Sequence, residues 1–261
     1  MSEDVLRVTR DGGRARVTLA RPAVRNAFNA ELIARLAEAF LTLGADPGVR
    51  LVVLDGEGPT FCGGADVNWM RAALDLDEAD NVRDAEAMSD MLRAIDRCPK
   101  PVIARVQGGA LGGGAGLCAV CDVVVAADDA IFGFTETKLG LVPAVISPFA
   151  LAKVGVSQAR RWFLNGARFD AAQAKAMGLV HEVVPAAELD AAVDAQAREL
   201  ESAGPAAVAA IKRLIVAVEA ATYDESRTIT ARAIARQRVG AEGQEGLRAF
   251  LERRRPTWAD R

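Results

Sequence analysis

The segment Gly108-Gly109-Ala110-Leu111-Gly112-Gly113-Gly114-Ala115-Gly116 decides the fold of this 261-residue chain. It follows a short apolar run and opens a helical pattern, as does an earlier glycine turn, Phe61-Cys62-Gly63-Gly64-Ala65-Asp66. Two such turns can direct two free backbone N–H groups at one point, where they would stabilise a developing oxyanion. Glu136, which closes the stretch Phe132-Gly133-Phe134-Thr135-Glu136, could move a proton beside a carbonyl group.

The glycine run does not match the phosphate-binding loops that are also rich in glycine. A dinucleotide fingerprint needs glycine at positions i, i+2 and i+5, and no register of residues 108–116 supplies it. A Walker loop needs Lys and then Ser or Thr after its last glycine, whereas Ala115 and Gly116 follow Gly114. Nucleotide hydrolysis and hydride transfer are therefore disfavoured, and close packing of small residues remains the structural alternative.

Composition and charge narrow the range of functions. Hydrophobic residues make up 51% of the chain and the net charge is −3, with no basic block that would favour nucleic acid. Residues 1–4 show no apolar signal segment, and no apolar run approaches the roughly 18 residues of a membrane span. The sequence therefore predicts a cytoplasmic protein that binds neither nucleic acid nor membrane.

The cysteines and the single histidine do not form a recognisable metal or redox motif. Cys118 and Cys121 form a Cys-x-x-Cys inside a Gly/Ala-rich helical pattern, with no second pair and no histidine at ligand spacing. We interpret them, with Cys62 and Cys98, as buried structural thiols, and we expect no metal site. His181 lies in a short apolar strand pattern, where a structural role is favoured over that of a base in a serine hydrolase.

Strand and helix patterns alternate up to about residue 185, and only helical patterns follow. We therefore divide the chain into an α/β core, residues 1–185, and a helical segment, residues 186–261. The clearest predicted features are a hairpin around 11–13, a helix N-cap at Asn29, buried strands at 51–54 and 102–106, a charged amphipathic helix at 77–97, and helices at 186–202, 205–221, 223–240 and 243–253.

Five stretches together resemble the crotonase, or enoyl-CoA hydratase/isomerase, superfamily. They are RNAFN at 25–29, FCGGAD at 61–66, the glycine-rich stretch at 107–122, the stretch at 132–143 and the tail at 245–254. The resemblance covers nearly the whole chain and implies a spiral of ββα units in residues 1–185, which would bind acyl-CoA and carry out catalysis. It also implies that residues 186–261 build a homotrimer or a dimer of trimers and help to close the coenzyme A site.

The resemblance further implies the residues of the site. The thioester oxygen of an acyl-CoA substrate would be bound by the N–H groups of Ala65 and Gly113, with Glu136 as the acid/base. No cofactor is implied besides coenzyme A, which belongs to the substrate. The residues implied to contact coenzyme A are Arg25, Ala27, Asp66, Val67 and Asn68, together with Phe250 and Arg253 from the tail of a neighbouring chain.

One position departs from the pattern of the family. Its hydratases commonly carry two glutamates that share the water molecule; the second corresponds to Glu136, and the first falls at Gly116, which has no side chain. Asp84 and Glu86, on the predicted helix at 77–97, are candidates for a second acid, and they are equally well interpreted as solvated charges. Single-glutamate members include Δ3,Δ2-enoyl-CoA isomerases, in which one glutamate moves a proton between C4 and C2 without water.

The stretches at 61–70 and 140–148 resemble a bacterial subgroup assigned to the hydration of methylglutaconyl-CoA or isohexenylglutaconyl-CoA, in leucine or acyclic-terpene breakdown. Such substrates carry a distal carboxylate, for which Arg71 or Lys138 could supply a cation. We therefore predict an enoyl-CoA hydratase that acts, through an enolate, on a branched or carboxylated enoyl-CoA. Enoyl-CoA isomerase and acyl-CoA thioesterase are the alternatives, and a non-catalytic or RNA-binding homologue is disfavoured by the acidic charge balance.

Overall fold

The computed structural model describes residues 4–259, so residues 1–3, on which the expectation about a signal segment partly rests, and residues 260–261 of the predicted helical segment lie outside the described residues. The described part forms nine strands and ten α-helices. The strands are β1 (Leu6–Asp11), β2 (Arg14–Leu19), β3 (Leu51–Gly56), β4 (Val102–Val106), β5 (Gly109–Leu111), β6 (Val123–Ala127), β7 (Ile131–Gly133), β8 (Arg168–Asp170) and β9 (Glu182–Val184). The helices are α1 (Ala30–Ala45), α2 (Val67–Ala72), α3 (Glu78–Asp96), α4 (Gly113–Val120), α5 (Ser147–Asn165), α6 (Ala171–Ala176), α7 (Leu189–Ser202), α8 (Pro205–Glu219), α9 (Tyr223–Val239) and α10 (Ala241–Leu251).

A six-stranded sheet in the order β1-β2-β3-β4-β6-β9 forms the centre of the molecule. β1 and β2 are the predicted antiparallel hairpin, and each later pair of neighbours is parallel. Val52 and Leu54 face the main core with α1, α3 and α4, whereas Leu51 and Val53 face α7. Because both faces of the sheet are buried, β3 begins with four apolar residues in a row instead of an alternating pattern.

A smaller sheet, β5-β7-β8, carries the glycine run to the candidate site. β5 pairs in parallel with β7, and an isolated bridge joins Cys62 to Ala110. Cys62 N–H donates to Gly109 O at 2.9 Å, and Leu111 N–H donates to Cys62 O at 3.0 Å. These bonds hold the two glycine turns side by side, although they lie far apart in the sequence.

Only helices follow β9 in the described part of the chain. α7 packs on the outer face of the central sheet, and α8, α9 and α10 pack on one another. The Arg50 side chain, just before β3, links this helical region to the central sheet. It donates to Glu201 O at 2.7 Å, Ala203 O at 2.9 Å and Trp258 O at 2.6 Å. The division at residue 185 stays a prediction. No helix within residues 4–259 is both long enough and apolar enough to cross a bilayer.

Candidate active site

A cavity of about 370 Å³ opens between the two glycine turns, α2, α3 and the loop 139–146. Its wall contains Ala65, Gly113 and Glu136, so the structure brings the three predicted catalytic residues to one place. Most of the remaining wall is apolar. The larger apolar side chains in it are Phe28, Trp69, Met70, Met88, Leu139, Leu141, Val142, Val145 and Ile146.

The first glycine turn leaves the backbone N–H of Ala65 available to a ligand. Phe28 N–H donates to Gly64 O at 2.7 Å, and Asp66 N–H donates to Phe28 O at 2.8 Å. Peptide groups alternate in direction along an extended segment, so the N–H of Ala65 points away from Phe28. It donates no hydrogen bond within residues 4–259.

Gly113 is the first residue of α4, and its N–H lies outside the helical hydrogen-bond ladder. That ladder begins with Gly116 N–H donating to Gly112 O at 3.1 Å, and among the described residues no side chain caps the helix. The N–H groups at a helix N-terminus favour an anion. A Cβ atom at position 113 would lie 2.8 Å from Met88 Cε and 2.9 Å from a carbon of the buried Phe28 ring, so a side chain there would force these neighbours to shift.

Glu136 lies beside the second glycine turn. A Cβ atom at position 112 would be 3.3 Å from Glu136 Oε1. Glu136 Oε2 is buried and has no hydrogen-bond partner among residues 4–259. Burial raises the pKa of Glu136 above its ordinary value. A carboxyl group with a raised pKa can serve as a proton donor as well as an acceptor near neutral pH.

Ile146 fills the space into which a side chain at position 116 would extend. Gly116 lies in the buried first turns of α4. A Cβ atom there would overlap Ile146 Cγ2 and lie 3.0 Å from Ile146 Cβ. Ile146 is only 2% exposed, so a side chain at position 116 would have to displace a buried residue. The space that a glutamate side chain would need at position 116 is therefore occupied by Ile146.

A second groove adjoins the cavity and shares Gly63 and Ala65 with it. The groove and the cavity therefore lie next to each other at Gly63 and Ala65. The groove is lined by five predicted coenzyme A contacts: Arg25, Ala27, Asp66, Val67 and Asn68.

Polar contacts fix the shape of this groove. Asp66 accepts from Asn68 N–H at 2.8 Å, which caps α2, and from Arg21 Nη2 at 2.8 Å. Burial opposes ionisation of Asp66, but these two partners lower its pKa. Arg21 also donates to Ala27 O. Our sequence reasoning missed Arg21, because a single arginine gives no local sign of a distant carboxylate partner.

Arg25 and Asn26 have φ angles of 57° and 54°, in the left-handed region that residues other than glycine rarely adopt. The buried Asn26 side chain holds this conformation by donating to Glu57 O at 2.9 Å and Thr60 O at 2.7 Å. Its Oδ1 accepts from Arg21 N–H at 2.9 Å. Local backbone strain of this kind is common where a loop is shaped for a ligand.

The structure does not bring the two predicted tail contacts to the site of the same chain. Phe250 is 80% exposed, and Arg253 follows α10. Neither residue lines the cavity or the groove. Their predicted contact with coenzyme A therefore requires a neighbouring chain.

Four charged residues were candidates for a role at the cavity: two cations for a distal carboxylate and two acids on α3. Arg71 and Lys138, considered as partners of a distal carboxylate, do not line the cavity, and Arg71 donates to Asn68 Oδ1 at 3.1 Å. Of the two acids considered on α3, Asp84 lines the cavity and Glu86 does not.

The cysteines and His181 occupy structural positions. All four thiols are buried, and burial raises the pKa of Cys62 and of Cys121 to about 12. His181 Nδ1 accepts from Val124 N–H at 2.9 Å, beside the pairing of β6 with β9. Within residues 4–259 there is no cluster of three or more side chains that could hold a metal ion.

A spiral α/β fold in which two glycine turns meet a half-buried glutamate defines a crotonase-type protein. The chain belongs to the enoyl-CoA hydratase/isomerase family, whose model matches residues 9–261. Enoyl-CoA hydratase EchA19 of Mycobacterium tuberculosis is 33% identical over 258 residues, which cover 97% of this chain and 96% of that protein.

Two solved structures show the same fold. An enoyl-CoA hydratase from Shewanella pealeana has a TM-score of 0.94 and 36% identity, covering 98% of this chain and 96% of that chain. Pseudomonas aeruginosa AtuE has a TM-score of 0.95 and 36% identity, covering 98% of this chain and 100% of that chain. The predicted crotonase fold with its helical C-terminal portion is therefore confirmed. The finer assignment to the methylglutaconyl-CoA subgroup stays a prediction.

Proposed function

We propose that this enzyme adds water to an α,β-unsaturated acyl-CoA through an enolate. The observation that carries the proposal is the meeting, in one cavity, of the backbone of Ala65 and Gly113 with the buried carboxylate of Glu136. Membership of the enoyl-CoA hydratase/isomerase family and similarity to proteins named enoyl-CoA hydratase support the same reaction.

The thioester oxygen would lie between the N–H groups of Ala65 and Gly113. Addition of water at C3 moves negative charge onto this oxygen, and the two donors stabilise that charge where it develops. Both donors belong to a rigid backbone, so no rearrangement is needed during the reaction. Loss of one such donor typically raises the activation free energy by roughly 3–4 kcal/mol.

Glu136 would exchange the proton at C2. Its raised pKa keeps a larger share of the carboxyl group protonated near neutral pH than an exposed glutamate would have. The protonated form donates to C2 of the enolate, and the ionised form removes the same proton in the reverse reaction.

We propose that the acyl chain is branched and uncharged. The far wall of the cavity is apolar, and among the described residues no arginine or lysine lines it. A carboxylated chain would bring its charge into a cavity that already contains Asp84 and Glu136, with no cation to offset it. This proposal keeps the predicted branched substrate and disfavours the predicted carboxylated one.

Coenzyme A would lie in the adjoining groove, with its pantetheine arm passing over Ala65. The tail of a neighbouring chain would complete the site, in a homotrimer or a dimer of trimers. Exposed apolar side chains on the helical tail, such as Ile215 and Val239, support an interface there. The proposed chemistry uses only backbone donors and carboxylates, so it requires no metal or redox cofactor.

Double-bond isomerisation is the second candidate activity. The packing of Ile146 against Gly116 favours it, because Ile146 occupies the space that a glutamate side chain at position 116 would need. A single carboxylate can carry a proton between C4 and C2 without a water molecule.

Isotope labelling distinguishes the two reactions. In H₂¹⁸O, hydration of the branched, uncharged 3-methylcrotonyl-CoA places ¹⁸O at C3, whereas isomerisation of 3-hexenoyl-CoA incorporates none. We expect ¹⁸O incorporation, and we expect Glu136→Gln to lower kcat by about 10²–10⁴ with little change in coenzyme A affinity. Isomerisation without ¹⁸O would identify an isomerase, and near-wild-type hydration by this variant would rule out the role of Glu136.

A further inference from the structure

We infer that Asp84 is the second carboxylate of the active site and binds the water molecule that adds to C3. This inference rests on the proposed hydratase function. Within residues 4–259, Asp84 and Glu136 are the two acidic residues in the wall of the cavity.

The position of Asp84 follows from the face that α3 turns toward the cavity. Asn81, Asp84, Ala85 and Met88 all line it, at the spacing of one helical face. A Cβ atom on Gly113 would lie 2.8 Å from Met88 Cε, so this face reaches the turn that would bind the thioester oxygen. Asp84 is one helical turn, about 5–6 Å, from Met88. We therefore assign its carboxylate to the part of the cavity next to this turn, where C3 of the substrate would lie.

The carboxylate of Asp84 does not contribute to stability through a partner on the protein. Within residues 4–259 it makes no hydrogen bond or ion pair, whereas Asp80, on the same helix, pairs with Arg83. A carboxylate in a largely apolar wall needs a hydrogen-bond donor, and a water molecule held for reaction would supply one.

The packing of α4 indicates why this group would come from α3. Ile146 fills the space beside Gly116, so a carboxylate cannot project from that position. The α3 face that contains Asp84 brings another carboxylate into the same cavity.

The two carboxylates would then divide the proton transfers. Asp84 accepts a proton from water as the water oxygen bonds to C3, and the electron pair of the C2–C3 double bond moves into the thioester to form the enolate. Protonated Glu136 then donates its proton to C2, which completes the addition of one water molecule. Asp84 ends protonated and Glu136 ionised, and both return to their starting states by proton exchange with solvent.

The test compares two reactions in the same variants. Hydration of 3-methylcrotonyl-CoA needs both carboxylates, whereas exchange of the C2 hydrogen of butyryl-CoA in D₂O needs only Glu136. We expect Asp84→Asn to lower kcat for hydration by about 10²–10⁴ while C2 exchange stays within about tenfold of the wild-type rate. Glu86→Gln, on an exposed part of the same helix, is the matched control and should leave both rates unchanged.

Each outcome supports or overturns the role of Asp84, and the wild-type rates test the hydratase proposal separately. Retained C2 exchange shows that the Asp84→Asn site is folded and binds thioester, so a selective loss of hydration supports the inference. Wild-type hydration by this variant would overturn it, as would an equal loss of hydration and exchange. If the wild-type enzyme exchanges C2 hydrogens but never hydrates, the hydratase proposal fails and the inference fails with it. If wild type and Asp84→Asn hydrate equally well, only the inference fails.

Discussion

At the scale of single residues, Glu136 shows how a catalytic group opposes stability. Its Oε2 is buried without a partner, and burial raises its pKa. The folded protein therefore binds this proton more tightly than the unfolded chain does. Ionisation of Glu136 lowers the free energy of unfolding as pH rises from the unfolded-state pKa through the higher folded-state pKa.

We therefore predict that Glu136→Gln is more stable than the wild type at pH 8. The difference should shrink as pH falls and disappear below about pH 4, where the carboxyl group is protonated in both states. Urea denaturation across this range measures it, with Glu86→Gln as the exposed control. A stability difference that does not change with pH would point to packing instead of ionisation.

Gly116 and Ile146 form a coupled pair, and the coupling can be measured. Gly116→Ala should reduce the free energy of unfolding by about 1–3 kcal/mol, because the new methyl group overlaps Ile146 Cγ2. Ile146→Ala removes that atom, so the double variant should be more stable than the sum of the single effects predicts. Ile146→Val keeps Cγ2 and should give no relief. Additive effects in the Gly116→Ala/Ile146→Ala cycle would contradict the overlap.

Residues of the site differ in how far the sequence could predict them. The two glycine turns and Glu136 stand in short motifs, and the resemblance of these motifs to the family was enough to select Ala65 and Gly113 as well. The contact of Gly116 with Ile146 forms only when α5 packs on α4, so no local pattern contains it. Asp84 belongs to a charged amphipathic helix, and only the packing of that helix shows which of its acids faces the cavity.

At the scale of elements, hydrophobic periodicity predicted the helices and strands in which several apolar residues share one face. The helix predicted at 77–97 is found at Glu78–Asp96, and the predicted N-cap Asn29 accepts from Leu32 N–H at 2.9 Å. The three-residue strand β5 was missed, since glycine is depleted in strands and its pairing depends on β7 and the remote Cys62.

The apolar wall of the cavity also predicts which substrates the enzyme prefers. We expect a higher kcat/KM for 3-methylcrotonyl-CoA than for 3-methylglutaconyl-CoA, which has the same branch and one more carboxylate. Crotonyl-CoA should be a poorer substrate than 3-methylcrotonyl-CoA, because it lacks the methyl branch that would pack against the apolar wall of the cavity. Parallel steady-state assays measure the three values.

Introduction of a positive charge in the wall tests this preference further. Met70 lines the cavity from α2, and Met70→Lys should shift the preference toward 3-methylglutaconyl-CoA by supplying the missing cation. Met70→Gln, polar and neutral, is the control. If the wild-type enzyme already prefers the carboxylated substrate, the proposal of an uncharged chain is wrong.

At the scale of the whole molecule, the helical tail leaves large apolar side chains in water. Val239 and Phe250 are each 80% exposed, and Leu251 is 78% exposed. Burial of apolar area of this kind stabilises association by about 25 cal/mol per Å², before the cost of ordering the partners. Since α8, α9 and α10 pack mainly on one another, these faces are available to a second chain.

We predict that the full chain forms a trimer or a multiple of three, measured by multi-angle light scattering. Leu251→Asp should shift the population toward monomer by placing a charge in the interface. It should weaken coenzyme A binding at the same time, because Phe250 and Arg253 would reach the groove only from a neighbouring chain. Phe250→Ala with Arg253→Ala, which leaves Leu251 in place, should weaken binding while the assembly persists. A monomeric full-length wild type would contradict the assembly. Equal affinities of the wild type and these variants for coenzyme A would contradict the shared site.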